Sequence, residues 1–523
     1  MNGSLLAAAF GVAFVGSLLT TPLVRSLSRR FGLVDHPDAH RKIHRGPMPL
    51  GGGLAILSAI GFAALLAFIV PSSRTATILG NLPLKLYGVT AGVLFICCVG
   101  IWDDVRGMRA RYKLLGQIIA AAIVCDSGLA IERLSFLGRS YELGLLTAPV
   151  TIFWLVVCMN ALNLIDGADG LATTVGIVLC GTIGATAVQL NNELVAYVAF
   201  AMTGALLGFL RYNFPPATIF LGDAGSMSIG LLAGGLSIQS SIKGATAFAL
   251  IGPLAMWALP MLDLSMAVLR RKLTGRGLAT TDRMHLHHRL LNYGFGQRQL
   301  LLVVGGLSAI CGLSAWLTVH FSNSWFALIS IVALVVSLAW TRLFGFVEFQ
   351  LAGDHVRRIT RQLLNSTQKA DIRPWQSGIR IQGVHRWEDL WQFLVDEAEG
   401  LDLVRLKLDL NMPWLHEGYH AKWVRATPQR TTQLVRLEWP LYLEHRTIGS
   451  LSIAGDCDAE QAVWLAKVAE LLAELQDRLQ AFAVQTIGDR TVDAPHAPIV
   501  AAEPPSDVVL IPRGAPGAPV DAA

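Results

Sequence analysis

Residues 160–172 read NALNLIDGADGLA and set two carboxamides and two carboxylates between apolar runs, 150–159 before them and 173–190 after. If the chain stays helical through Asn160, Asn163 and Asp166, the three-residue spacing puts these side chains on one face, with Asp169 continuing the row. Gly167 and Gly170 predict that the helix loosens there and leaves irregular backbone close to a ligand. Carboxylates at membrane depth are costly unless paired, solvated or bound to a cation. A solvated loop between two spanning helices would account for this stretch alone. Four other loops on the same side carry compatible groups, and that favours a site.

The surrounding composition puts the stretch in a membrane. The chain has 523 residues, 53% of them hydrophobic and 15% charged, with a mean hydropathy of +0.50, too apolar for an ordinary soluble protein. A net charge of +5 raises the question of nucleic acid, but the basic residues cluster in loops between apolar spans, a topological pattern. No nucleic-acid partner is expected. Six of the seven cysteines (Cys97, Cys98, Cys125, Cys158, Cys180, Cys311) lie in apolar segments without a C-x-x-C pair. They read as packing residues, not as a disulfide or zinc framework.

About eleven runs have the length a bilayer core demands, near 4–24, 50–70, 86–102, 114–131, 148–164, 171–190, 194–211, 217–238, 245–269, 300–320 and 325–345. The first has no basic stretch ahead of it and arginines behind it, which predicts a spanning helix with its N-terminus outside. With that orientation the inner loops carry Lys and Arg at 25–49 (six), 103–113 (four), 211–223 (one) and 270–299 (seven), against five in all outer loops. The predicted class is an all-α polytopic inner (plasma) membrane protein over residues 1–345, its polar loops cytoplasmic. From about 351 to 485 the pattern becomes that of a soluble cytoplasmic α/β domain. Residues 386–399 read as an amphipathic helix, 404–410 as a half-buried strand, 434–441 and 448–453 as further strands with a glycine turn at Gly449, and 458–482 as a long helix. That order weakly resembles part of a GAF-type sensory domain, and with no ligand motif a docking or dimerising role is favoured. Residues 492–523 are rich in Pro, Ala and Gly and predict disorder.

Each remaining polar constellation admits a plain reading. Asp103 and Asp104 end an apolar span and precede Arg106, Arg109, Arg111 and Lys113. The acids suit a cation or a proton and the bases suit phosphoryl oxygens; a positive-inside flank is the plain alternative. Asp223, in GDAGS at 222–226, is either an N-cap or a hard oxygen ligand beside backbone amides free to meet phosphate. His285, His287 and His288 sit in a basic loop with Arg283 and Arg289, where phosphate contact is favoured over zinc. Residues 35–53, DHPDAHRKIHRGPMPLGGG, read equally well as a closing loop or as a topogenic one.

In order along the chain, HPDAHRKIHRGPMPLGGG, DDVRGMRARYKLLGQ, NALNLIDGADGLA, FLGDAGS and DRMHLHHRLL resemble the polyprenyl-phosphate N-acetylhexosamine-1-phosphate transferases. HLHH with Arg283 before it is similar to the branch using UDP-N-acetylglucosamine and related donors. It is less like the phospho-N-acetylmuramoyl-pentapeptide branch, whose three histidines precede an acidic residue where this chain has Arg289. The resemblance implies Mg2+ (or Mn2+) held by Asn163 and Asp223, with Lys113 near the donor pyrophosphate. It also implies Asp103 and Asp104 at the catalytic centre, Asp166 and Asp169 on the nucleotide side, and Arg283, His285, His287 and His288 in a phosphate-binding loop. Asn160 joins the substrate side through its place in the row with Asn163. The implied partners are a UDP-HexNAc donor, a polyprenyl phosphate acceptor and membrane lipid, with a homodimer compatible. A pentapeptide-branch transferase, a transporter and a membrane sensor are the competing readings.

Overall fold

The computed structural model describes residues 3–35, 47–69, 83–136, 139–242, 251–274, 284–341, 343, 348–349, 352–353, 356, 375–382, 387–401, 403–412, 417–425, 434–443, 446–456 and 461–492. Arg283, most of the 35–53 loop and the segment beyond 492 therefore lie outside the described residues.

The apolar runs form α1 (Gly3–Arg30), α2 (Gly52–Ile69), α3 (Pro83–Arg106), α4 (Ala110–Asp126), α5 (Thr147–Ile165), α6 (Leu171–Gln189), α7 (Glu193–Asn213), α8 (Gly222–Ile242), α9 (Ile251–Met256), α10 (Ala258–Thr274), α11 (Leu286–Asn292), α12 (Gln297–His320) and α13 (Trp325–Trp340). Among the described residues six helical segments are long and apolar enough to cross a membrane, at Gly3–Arg30, Tyr87–Arg106, Gly144–Ile165, Leu171–Gln189, Glu193–Asn213 and Gln297–His320, and Gly52–Leu66 and Trp325–Trp340 are shorter apolar helices. The expected span at 245–269 is instead two helices, α9 and α10, meeting at Trp257. Pro260 sits in the first turn of α10 and has no N–H to return to Met256, so one helical hydrogen bond is missing at this junction.

The centre of this assembly is α8, which packs against α2, α3, α5 and α6. Its sequence explains that position. Gly225, Gly230, Gly234 and Ser226 leave little side chain on the helix, so neighbouring backbones come close. A methyl added at Gly230 would lie 2.7 Å from Met159 Cα, and one at Gly53 would lie 2.5 Å from Gly225 N. Two short antiparallel pairs complete this part: β1 (Val34–Asp35) with β2 (Met48–Pro49), and β3 (Arg133–Phe136) with β4 (Arg139–Glu142).

Taken by itself, the C-terminal part is a five-stranded antiparallel sheet with two helices. Strands β5 (Trp375–Gln382), β6 (Leu403–Met412), β7 (Glu417–Val424), β8 (Leu434–Leu443) and β9 (Arg446–Asp456) run in the order β5-β7-β6-β9-β8. Leu406, Leu408, Leu410, Tyr419, Ala421, Trp423, Leu451 and Ile453 share one core with Trp391 and Leu394 of α14 (Trp387–Gly400) and with Leu472 and Leu475 of α15 (Gln461–Val492). Two strands, β5 and β7, are additions to the sequence reading. Gly449 is also not a turn: it lies within β9, where a methyl would run into the Asp409 carbonyl of β6.

Candidate active site

Four helix ends meet at one point, each bringing a polar residue of the blocks named above. Asp103 stands in the last turn of α3, followed by Gly107 at φ +66°. Its Oδ1 accepts the Met108 N–H at 2.6 Å, which fixes the turn into α4. One turn into α4, Lys113 Nζ lies 2.6 Å from Asp223 Oδ2, 3.0 Å from Asp103 Oδ2 and 3.3 Å from Asn163 Oδ1. Asn163, near the end of α5, donates from Nδ2 to Asp223 Oδ1 at 2.5 Å and to Ser226 Oγ at 3.0 Å. These donations need the amide nitrogen on that side, so the Asn163 oxygen faces the ammonium.

Asp104 does something different from its neighbour. Its two oxygens accept the backbone N–H groups of Asp223 and Ala224 at 2.9 and 3.3 Å, satisfying the first turn of α8. A methyl at Gly222, which holds φ +74°, would lie 2.7 Å from Asp104 Oδ2. Asp104 thus sets the direction of the helix that presents Asp223. Asn160 turns away from the meeting point: its Nδ2 donates to Gln117 Oε1 at 2.7 Å, so the pair braces α4 against α5.

The helical row of acids ends early, because α5 stops at Ile165 and Asp166 follows as its C-cap. Burial first, then Asp223, Asp104 and Asp169, push the Asp166 carboxyl well above the usual carboxylate range. Asp169 leaves the row altogether; its Oδ2 accepts the Ala217 N–H at 2.9 Å and ties down the connection between α7 and α8.

The histidine block adjoins the acidic one. A methyl at Gly167 would lie 2.5 Å from His287 Nε2, so only glycine allows this approach. His287 is buried, its ring 4.2 Å from that of His288, and neither of its nitrogens has a hydrogen-bond partner among the described residues. Burial holds its pKa down at about 4, against an upward pull from Asp263. His285 Nδ1 lies 3.5 Å from Asp263 Oδ1, and the same oxygen accepts the Leu286 N–H at 3.1 Å. Asp263 is a member of this block that the sequence reading missed, since a lone acid in an apolar run gives no signal of a partner beyond its own helix. Arg289 is buried too, donating to the Met284 and Leu343 carbonyls at 3.2 and 2.9 Å and pairing with buried Glu348, which also pairs with Arg270.

Because His287 is neutral when folded and takes up a proton when unfolded, its contribution to stability is constant above the unfolded pKa near 6.5 and falls as pH drops toward 4. Lowering the pH from 7.5 to 5.5 is expected to remove roughly 1 kcal/mol through this group. His287→Gln should flatten that part of a plot of apparent Tm against pH; an unaltered slope would exclude His287 as its source.

The convergent donors are hard oxygens of Asp103, Asp223 and Asn163, and a cation, the Lys113 ammonium, already sits among them. That chemistry fits Mg2+ and does not suit a soft metal. Among the described residues no three His, Cys, Asp or Glu side chains form a metal cage of their own. Such an open set suits an ion that keeps water and phosphate oxygens in its shell.

The chain was also compared with known proteins. Residues 86–241, from α3 to α8, match the model of glycosyl transferase family 4. The chain is 34% identical over 331 residues to a probable undecaprenyl-phosphate N-acetylglucosaminyl 1-phosphate transferase of Bacillus subtilis, covering 62% of this chain and 89% of that protein. It is 33% identical over 353 residues to the decaprenyl-phosphate N-acetylglucosaminephosphotransferase of Mycolicibacterium smegmatis, with coverages of 63% and 86%. A phospho-N-acetylmuramoyl-pentapeptide-transferase of Desulforudis audaxviator is 32% identical over 338 residues, with coverages of 58% and 98%. A match of this extent, over nearly the whole of each relative, means that the chain belongs to the polyprenyl-phosphate N-acetylhexosamine-1-phosphate transferase family.

Proposed function

We propose that the protein transfers N-acetylglucosamine 1-phosphate from its UDP-sugar to polyprenyl phosphate, releasing UMP. The observation that carries the chemistry is the meeting of Lys113, Asp103, Asn163 and Asp223 from four helix ends. In the step, an oxygen of the acceptor phosphate attacks the phosphorus that bears the sugar, and the bond from that phosphorus to the bridging oxygen breaks. The electron pair leaves with UMP. An acceptor phosphate monoester has its second pKa near 6, so its oxygen is largely unprotonated at neutral pH and needs no general base.

Asp223, Asp103 and the Asn163 oxygen would hold Mg2+, which when bound neutralises the donor pyrophosphate and stabilises the leaving phosphate. Lys113 donates to phosphoryl oxygens from a position fixed by two carboxylates. Asp104 keeps α8 aimed at the site through its backbone bonds. His287, neutral and unpartnered against Gly167, has one N–H to offer a substrate oxygen. Purified protein with polyprenyl phosphate should release UMP from UDP-N-acetylglucosamine and not from UDP-N-acetylmuramoyl-pentapeptide; the reverse preference would favour the pentapeptide branch, a relative of which is 32% identical.

About eleven spans, an outside N-terminus and a cytoplasmic site belong to this reading, supported by the charge asymmetry of the loops. The C-terminal sheet with its two helices is read as a docking or dimerising module. Every residue assigned above precedes it, so a chain cut after residue 350 is expected to release UMP at the rate of the full chain. Loss of turnover in a truncated protein that still inserts and folds would give the C-terminal unit a part in catalysis.

A further inference from the structure

Where α1 and α7 end and α12 begins lies a basic hollow of about 420 Å³ lined by Arg25 of α1, Arg211 of α7, Arg298 of α12 and the Phe214–Pro215 start of the connection after α7. No acidic residue lines it. Arg298 is engaged, with Nε 3.4 Å from the Pro215 carbonyl and its guanidinium over the Phe214 ring at 5.7 Å. Arg25 and Arg211 have no hydrogen bond or ion pair among the described residues. Three guanidiniums around one space repel one another, and an anion between them offsets that repulsion. Their planar donor forks match phosphate.

The surroundings are apolar on the lipid-facing side. Leu302, one turn along α12 from Arg298 and on the same face, is 76% exposed, and Phe214 is 43% exposed in the wall. Cationic side chains next to exposed aliphatic and aromatic ones are what a lipid with an anionic headgroup and acyl chains requires. The geometry points to this hollow as a site for the phosphate of an acidic phospholipid. Its floor is the connection that Asp169 grips at Ala217 and that ends at Gly222 and Asp223. A lipid headgroup there braces that connection from outside, as Asp169 does from within. The inference concerns binding and stands independently of the transferase reading.

The full chain is reconstituted in bilayer discs of phosphatidylcholine alone or with phosphatidylglycerol. Retained lipid is read by native mass spectrometry and stability by apparent Tm. The parent is expected to retain phosphatidylglycerol and to melt higher in its presence. R25Q/R211Q/R298Q should bind it roughly a hundredfold more weakly, at about a factor of five per arginine, with an unchanged Tm in neutral discs. R29Q/R30Q, which removes two exposed arginines outside the hollow, should behave as the parent. If the triple variant melts lower in neutral discs, R211Q alone carries the test, since its side chain is exposed and unpartnered. Equal retention by the parent and by the variant in the hollow overturns the proposal, as does an equal loss in R29Q/R30Q. A Tm rise of the same size with inorganic phosphate in neutral discs also overturns it, by making free phosphate the ligand.

Discussion

Asp223→Asn is expected to lower UMP release by roughly 10²- to 10³-fold, the range seen when one charge-stabilising group is removed from a preorganised site. The carboxylate meets both the Lys113 ammonium and the Asn163 amide. An amide in its place can still accept from Asn163 through its oxygen, and Lys113 keeps Asp103 at 3.0 Å. The helix start survives as well, because Asp104 bonds the backbone N–H of residue 223 and not its side chain. The fold should therefore be retained while a full negative charge is lost from the set of hard oxygens. Two measurements separate binding from chemistry: titration with Mn2+ as a spectroscopic probe, where affinity should fall, and UMP release under saturating donor. Unchanged release would sink the assignment of Asp223 to the metal.

Gly100→Val should be nearly as damaging, by a different route. Gly100 lies one turn before Asp104 on α3, and any side chain there runs into the backbone of Ala224 at the start of α8. Either α3 or α8 must move, and movement at this point separates the Asp104 cap from Asp223. Misplacement of about 1 Å costs on the order of 10²-fold in rate, and overpacking costs about 1–3 kcal/mol in stability. Both turnover and apparent Tm should fall together. Gly61→Ala supplies the comparison: nothing lies within 4 Å of a methyl at that position of α2, so greater helix propensity should leave Tm equal or higher. A G100V protein with parental turnover would mean that the α3–α8 contact is not what positions Asp223.

What could be read from the sequence was which blocks carry the polar residues, four of which, Asp103, Lys113, Asn163 and Asp223, meet in the structure. The geometry of the site could not be read. Membrane residence followed from hydropathy, and the chemistry-bearing blocks from polar residues where apolar ones were expected. Asn163 and Asp223 touch although 60 positions separate them. The periodic row Asn160, Asn163, Asp166, Asp169 was misleading at Asp169, because helical spacing holds only while the helix lasts and α5 gives out at its cap, Asp166. Asp103 and Asp104 looked alike as neighbours, yet one faces Lys113 and the other a helix N-terminus. Asp263 and Glu348 gave no local sign, because their partners Leu286 and Arg289 stand 23 and 59 positions away. In the C-terminal sheet, β6 was legible from strict alternation, whereas β7 carries Gly418, His420 and Lys422 between its core residues and blends into a polar segment.

The pairing of Arg289 with Glu348 also has a bearing on how the enzyme is made. A chain leaves the ribosome N-terminus first, so Arg289 emerges 59 residues before the carboxylate that neutralises it. Both helices of the last hairpin, α12 and α13, come between them. Until that hairpin has inserted and Glu348 has followed it out, Arg270 and Arg289 lack their shared counter-charge and the histidine segment has no settled seat against Gly167. A nascent chain stalled inside the last hairpin therefore carries Asp103, Lys113, Asn163 and Asp223 but not the carboxylate that pairs with both Arg270 and Arg289.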